Sequence, residues 1–101
     1  MKDWKACECK VAGLLGGVRI LVSWRGRGHS PDIHHGSFSI EVKSHKKLPA
    51  WLEDVMRQAE AFARDGQLPV AVLYQDRCKY RGSFIVCRLG GFVGYLKEGS
   101  A

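Results

Sequence analysis

The sequence lacks any long hydrophobic run, and none of its apolar stretches approaches the roughly 20 residues that a helix needs to span a bilayer. No apolar block follows the charges of the N-terminus, Met1-Lys2-Asp3-Trp4-Lys5-Ala6, so the sequence does not predict a signal peptide. We therefore expect an intracellular, cytoplasmic protein with no membrane partner.

The chain also lacks the signatures of several enzyme classes. The glycine-rich loop over residues 23–31 has neither the GxGxxG spacing nor the following helix of a dinucleotide site. No Ser-His-Asp or Cys-His signature indicates covalent catalysis. The histidines match no familiar metal-ligand spacing, which favours phosphate contact or simple exposure for all of them: His29, His34, His35 and His45.

The four cysteines do not form the paired Cys-x-x-Cys motifs of structural zinc sites. Cys7 and Cys9 are separated by a single residue, and neither Cys78 nor Cys87 has a second cysteine nearby. If residues 82 and 83 form a two-residue turn, Cys78 and Cys87 would face each other across a hairpin, but a disulfide is disfavoured in a reducing compartment. We favour small buried hydrophobic residues as their role.

Positive charge is in excess, with a net charge of +6 and a pI of about 9.4. Such an excess favours a polyanionic partner such as nucleic acid. The charge is concentrated around the glycine-rich loop and after a predicted strand, and these residues are the predicted DNA contacts: Arg19, Arg25, Arg27, Lys46 and Lys47. A solvated basic face is the alternative for each of them.

At 101 residues the chain fits one domain, 1–101, which we predict to be a mixed sheet flanked by two helices. Gly16-Gly17 is the predicted C-cap of the first helix, and Pro49 the predicted start of the second. The pattern predicts helices over 3–15 and 49–66, strands over 18–22, 32–35, 38–43, 68–74 and 83–89, and a short strand or turn over 92–95.

Two features of this pattern need a chemical explanation. Glu8 falls inside the apolar stripe of the first helix, and a carboxylate that points inward is costly unless it has a partner. In residues 38–43 the alternation places Phe38, Ile40 and Val42 on one strand face, so that Glu41 and Lys43 share the other.

Asp32 and Glu41 come from neighbouring predicted strands, and two such carboxylates can converge on one hard cation. The backbone carbonyl of Val42 is a candidate third ligand. Lys43 points the same way as Glu41 and would lie beside the attacking water or the phosphate, where it stabilises negative charge. The alternative for a lone Glu-x-Lys strand motif is a solvated ion pair.

Pro31-Asp32 followed by Ile40-Glu41-Val42-Lys43 resembles the motif of the P-D-(D/E)-x-K nuclease superfamily. Inward Glu8 corresponds to the acidic residue on the first helix of many members, and Gln58 resembles a glutamine on the helix that follows the motif. The resemblance covers about Glu8 to Phe92. It implies an α/β restriction-endonuclease-like core, with a mixed central β-sheet of about five strands flanked by two main helices in the order α-β-β-β-α-β-β.

Within that superfamily the short length, Glu8 and the Arg-Gly-rich loop look most like archaeal-type Holliday-junction resolvases, including phage-encoded relatives, which would act in the host cytoplasm. The resemblance implies a homodimer that nicks four-way DNA junctions symmetrically with Mg²⁺ or Mn²⁺. Candidate dimer surfaces are the Trp51 end of the second helix and residues 92–95. The alternatives are a nuclease of other branched or duplex DNA and a nucleic-acid-binding module that does not cut.

Overall fold

The computed structural model describes residues 4–19 and 33–99. The chain divides into two compact units, Met1–Lys46 and Lys47–Ala101, each with its own antiparallel sheet. That residues 1–101 form a single domain stays a prediction.

The first unit begins with helix α1 (Trp4–Leu15). Gly16 ends this helix with a φ of +77°, a left-handed conformation that glycine adopts without steric cost. The amide of Gly17 donates to the carbonyl of Ala12 over 2.9 Å, which is the hydrogen bond of a Schellman C-cap. The Gly16-Gly17 cap predicted from the sequence is therefore confirmed.

A small antiparallel sheet follows in the order β1 (Val18–Arg19), β2 (Ile33–His34) and β3 (Ser39–Ile40). Ile33 pairs with Arg19 on one side and with Ile40 on the other, and its side chain is completely buried. Residues 35–38 connect β2 to β3. The buried apolar residues described in this unit are Ile33 on β2 and Ala12 on α1, and α1 contacts β1.

In the second unit, helix α2 (Ala50–Ala61) begins after Pro49 and buries Met56. Strand β4 (Ala71–Leu73) pairs antiparallel with β5 (Phe84–Val86), and α2 contacts β4. A 3₁₀ turn (Tyr80–Gly82) lies in the loop between the two strands. Helix α3 (Leu89–Gly99) completes the unit.

The prediction of one mixed sheet of about five strands flanked by two helices, a restriction-endonuclease-like core, is wrong. The strands of the described residues form two separate sheets, of three and two strands, and every strand pair in them is antiparallel. Each described strand pairs only with a strand next to it along the chain, and antiparallel pairing of this kind needs no crossover helix.

The C-terminal segment is also different from the prediction, since residues 92–95 lie inside helix α3 rather than in a strand or turn. Three glycines, at positions 90, 91 and 94, conceal the helical pattern in the sequence. The half-buried apolar residues nevertheless follow helical spacing: Leu89, Phe92, Val93 and Leu96.

The β4–β5 connection rules out the predicted facing of Cys78 and Cys87. The loop covers residues 74–83, and Cys78 lies within it rather than in a strand opposite Cys87. All four cysteines are free thiols, and the prediction that they are buried is wrong: Cys9 and Cys78 are exposed, and Cys7 and Cys87 are half-buried. No helix among residues 4–19 and 33–99 is long and apolar enough to cross a membrane.

Candidate active site

Glu41 and Lys43 lie directly after β3 and are both exposed. Ser39, Glu41 and Lys43 are exposed, whereas Phe38, Ile40 and Val42 are half-buried, so exposure alternates residue by residue through this segment. This pattern agrees with the predicted alternation, and the projection of Glu41 and Lys43 from one face stays a prediction. The hydrogen-bonded strand is shorter than predicted and ends at Ile40.

Glu8 points inward from α1, as the sequence predicted, and its residue exposure is 4%. It is the one charged residue that is buried in the described part of the chain. A carboxylate that loses its water in this way must find polar partners inside the protein. No buried side-chain nitrogen or oxygen atom in residues 4–19 and 33–99 lacks a hydrogen-bond partner.

His35 joins the hairpin to the end of α1. Its Nε2 is 3.0 Å from the carbonyl oxygen of Leu15, and the amide of Ser37 donates to its Nδ1 over 3.0 Å. Because Nδ1 accepts and the Leu15 oxygen can only accept, these two bonds assign the neutral tautomer with the proton on Nε2. The ring also packs on Phe38, with 5.0 Å between ring centroids. His35 therefore holds the turn that leads into Glu41, and its role is structural.

Several predicted site residues cannot be placed. Asp32, Arg25 and Arg27 lie outside the described residues, and for Arg19 only the backbone in β1 is described. Gln58 is exposed on α2 in the second unit, facing solvent rather than the edge of the apolar stripe. Its membership of the site stays a prediction.

The described residues include only some of the ligands that the predicted magnesium site requires. Glu41 offers an exposed carboxylate and Val42 a backbone carbonyl, and such oxygen donors suit Mg²⁺ or Mn²⁺. Among residues 4–19 and 33–99, no three histidine, cysteine or acidic side chains lie close enough together to hold a metal ion. The fit of a metal therefore depends on Asp32.

Exposed lysines surround the Glu41 segment. Lys43, Lys46 and the adjoining Lys47 are all exposed, and so is His45 between them. Cations at the surface of a single short segment form the electrostatic footprint expected where a phosphate backbone binds.

An arginine clamp in the second unit was missed from the sequence. Arg88 donates from Nη1 to Glu53 over 3.1 Å and from Nε to Glu60 over 2.9 Å, and its Nη2 contacts the second oxygen of Glu53. The hydrogen bond from Arg88 lowers the pKa of Glu53, and the two carboxylates raise the pKa of Arg88. Its only sequence signal was the spacing of Glu53 and Glu60, seven residues apart on one helix face.

Comparison with protein-family models, with curated proteins and with solved structures found no match in any of the three.

Proposed function

We propose that this chain is a metal-dependent DNA endonuclease, an intracellular phosphodiester hydrolase. Asp32 and Glu41 hold Mg²⁺ or Mn²⁺ with the carbonyl of Val42, and Lys43 lies beside the scissile phosphate. The observation that carries the proposal is the alternating exposure after β3, in which Glu41 and Lys43 are both accessible and Val42 between them is half-buried.

The inclusion of Asp32 is part of the proposal, and it extends the register of the β2–β3 hairpin beyond the pairs that the structure describes. Ile33 lies opposite Ile40, and His34 lies opposite Ser39. If this register continues by one residue, the position opposite Glu41 is that of Asp32. Residues directly opposite in an antiparallel pair project to the same face, with Cβ atoms about 5 Å apart, a separation at which two carboxylates can share one cation.

Lys43 supplies the positive charge of the site. Side chains two residues apart on an extended segment project in the same direction, so its ammonium group lies on the side where Glu41 would meet a phosphate. There it stabilises the negative charge that develops on the phosphoryl oxygens. A divalent ion at this place would polarise the phosphate and lower the pKa of a bound water. Glu8 and Gln58 are proposed as supporting residues.

The proposed substrate is branched DNA, above all a four-way junction cut symmetrically by a homodimer. This finer assignment rests on the resemblance of Asp32 and the Glu41–Lys43 motif to Holliday-junction resolvases, not on the fold. Two matched cuts on opposed strands require two active sites, which a two-fold dimer provides. The basic residues would contact phosphates without reading bases: Arg19, Arg25, Arg27, Lys46 and Lys47. Cleavage of other branched or duplex DNA is the alternative within the same activity.

A second candidate function is nucleic-acid binding without cleavage. The exposed lysines at 43, 46 and 47 and the net charge of +6 favour it, because they need no metal to bind a phosphate backbone. This function leaves the buried carboxylate of Glu8 without a chemical role.

Cleavage of a synthetic four-way junction, compared with flap and plain duplex DNA at equal salt, separates the two functions. We expect nicking by the wild type with Mg²⁺, no nicking by Asp32→Ala or Glu41→Ala, and retained binding by both variants. Asp65→Ala removes an exposed carboxylate outside the proposed site and should cut normally. A wild-type protein that binds DNA but nicks none of the substrates with Mg²⁺ or Mn²⁺ would establish the binding function instead.

A further inference from the structure

We propose that the β4–β5 loop, residues 74–83, with the adjoining Phe84 binds unpaired nucleotides by stacking a base on Tyr80. We call these residues the aromatic loop. It lies in the second unit, and its binding does not depend on the nuclease activity proposed for residues of the first.

Two tyrosines form a stacked pair in the aromatic loop. The rings of Tyr74 and Tyr80 have centroids 4.5 Å apart and an interplanar angle of 22°. Tyr74 is 40% exposed and Tyr80 is 78% exposed. One face of the Tyr80 ring is covered by Tyr74, so its high exposure means that the opposite face is open to solvent. Bases stack on such open aromatic faces in proteins that bind single strands.

Hydrogen bonds hold the pair in position. The hydroxyl of Tyr74 donates to the carbonyl of Cys78 over 2.9 Å and so crosses the loop. The amide of Ser83 donates to the carbonyl of Tyr80 over 3.0 Å and closes the 3₁₀ turn on which Tyr80 lies. A ring that is already held in place loses little conformational entropy when a base binds to it.

The charges of the aromatic loop fit a nucleic-acid backbone. Arg77, Lys79 and Arg81 are exposed cations, against the single carboxylate of Asp76. Among the described residues, no carboxylate forms an ion pair with Lys79 or Arg81, the two cations that flank Tyr80. Cations beside an open aromatic ring combine the two interactions that bind single strands, phosphate attraction and base stacking.

A cavity of about 280 Å³ lies beside Tyr74 in the aromatic loop. Tyr74, Lys79, Ser83 and Phe84 are among its lining residues, so polar groups and an apolar wall both face it. Phe84 is 72% exposed and presents a second aromatic surface. The arrangement favours unpaired bases, since the faces of paired bases inside a duplex are already stacked on each other.

Binding of labelled oligothymidylate to the full-length protein tests the proposal, measured by fluorescence anisotropy in EDTA so that no cleavage occurs. We expect the wild type to bind the single strand more tightly than a blunt duplex of equal length. Tyr80→Ala should weaken single-strand binding by about 5- to 150-fold, the range for loss of one base–aromatic stack. Tyr80→Phe keeps the ring and should bind like the wild type.

Tyr95→Ala is the matched control, because Tyr95 is also an exposed tyrosine of the second unit but lies on α3, 56% exposed. It should leave binding unchanged. Lys79→Ala and Arg81→Ala should each reduce the salt dependence of log K by about 0.7, and Lys97→Ala should not. Circular dichroism of each variant confirms that the fold is retained.

The proposal is overturned if Tyr80→Ala binds oligothymidylate like the wild type, or if Tyr95→Ala loses as much affinity. It is equally overturned if poly-glutamate competes as well as the oligonucleotide at equal charge, since the loop would then be a general anion surface. Because EDTA removes divalent ions and the variants lie in the second unit, failure of the proposed nuclease function leaves this test unaffected.

Discussion

Ile33 lies directly opposite Ile40 across the β2–β3 pair, and Ile33 is completely buried. This contact decides which way the following residues point. Side chains alternate along an extended segment. When Ile40 points inward, Val42 also points inward, and Glu41 and Lys43 point outward to solvent. The apolar core of the hairpin therefore determines the exposed face on which the proposed chemistry takes place.

The first prediction separates the roles of two lysines in this segment. Lys43→Ala should reduce the single-turnover rate of junction cleavage by about 100-fold or more, the usual cost of removing a group that stabilises transition-state charge. Lys46→Ala should instead weaken DNA binding and leave the rate at saturating protein unchanged, because a phosphate contact outside the site acts on affinity. Equal effects of the two variants on rate would contradict the role assigned to Lys43.

Glu8 provides the second prediction. The buried carboxylate of Glu8 has hydrogen-bond partners, and Glu8→Ala would leave those partners without their hydrogen bonds. We therefore expect a loss of about 1–3 kcal/mol in the free energy of unfolding. Lys10→Ala, at an exposed position of the same helix, should change it by less than about 0.5 kcal/mol. Urea denaturation followed by circular dichroism measures both. Similar stabilities of the two variants would show that Glu8 is not buried in solution.

Local features of the fold could be predicted from the sequence because local interactions determine them. Gly16 ends α1 since only glycine adopts its left-handed conformation readily, and the alternation of residues 38–43 appears directly in their exposure. The inward position of Glu8 could be predicted because the spacing of residues along a helix determines which face each side chain lies on.

The tertiary arrangement of these elements was harder to predict from the sequence. Helical periodicity extends the apolar stripe of the first helix to Leu14 and that of the second to Phe62, yet these residues are 53% and 86% exposed. Phe62 lies just beyond α2, which ends at Ala61 and not near Gly66 as predicted. The prediction of strand pairing was wrong for a similar reason, because alternation identifies a strand but does not show which strand it pairs with.

The candidate site also contains both local features, which the sequence predicts, and tertiary features, which it does not. Glu41 and Lys43 belong to one short segment, so their shared face is predicted from sequence spacing alone. Asp32 and Gln58 come from other segments, and spacing along the sequence does not encode their distance from Glu41. The aromatic loop was overlooked as a binding surface, although the alternation of Arg77, Lys79 and Arg81 with Tyr80 was its signal in the sequence.

The third prediction concerns the link between α1 and the hairpin. His35→Ala removes the hydrogen bonds to Leu15 and Ser37 together with the contact on Phe38, and it should lower the free energy of unfolding by about 1–2 kcal/mol. His45→Ala, at an exposed position in the same unit, should have no measurable effect. Thermal unfolding of both variants at one pH gives the comparison. A His35→Ala protein as stable as His45→Ala would show that this link contributes nothing.

The last prediction follows from the Arg88 clamp. Its hydrogen bond to Glu53 lowers the pKa of that carboxylate below its ordinary value of 4.5 in the folded protein. A depressed carboxylate pKa stabilises the fold at pH values above the pKa of the unfolded chain, and this contribution is lost as the pH falls through the lowered pKa. The Tm of the wild type should therefore exceed that of Glu53→Gln at neutral pH, and the difference should close as the pH falls well below 4.5.

Two controls make the origin of this difference visible. Glu98→Gln, at an exposed carboxylate on α3, should follow the wild-type curve at every pH. Because Arg88 and Glu53 are each 44% exposed, salt should also screen the clamp, and the Tm difference at neutral pH should shrink at high ionic strength. A difference between wild type and Glu53→Gln that persists unchanged at low pH and in high salt would arise from packing of the side chain, and the electrostatic account of the clamp would then be wrong.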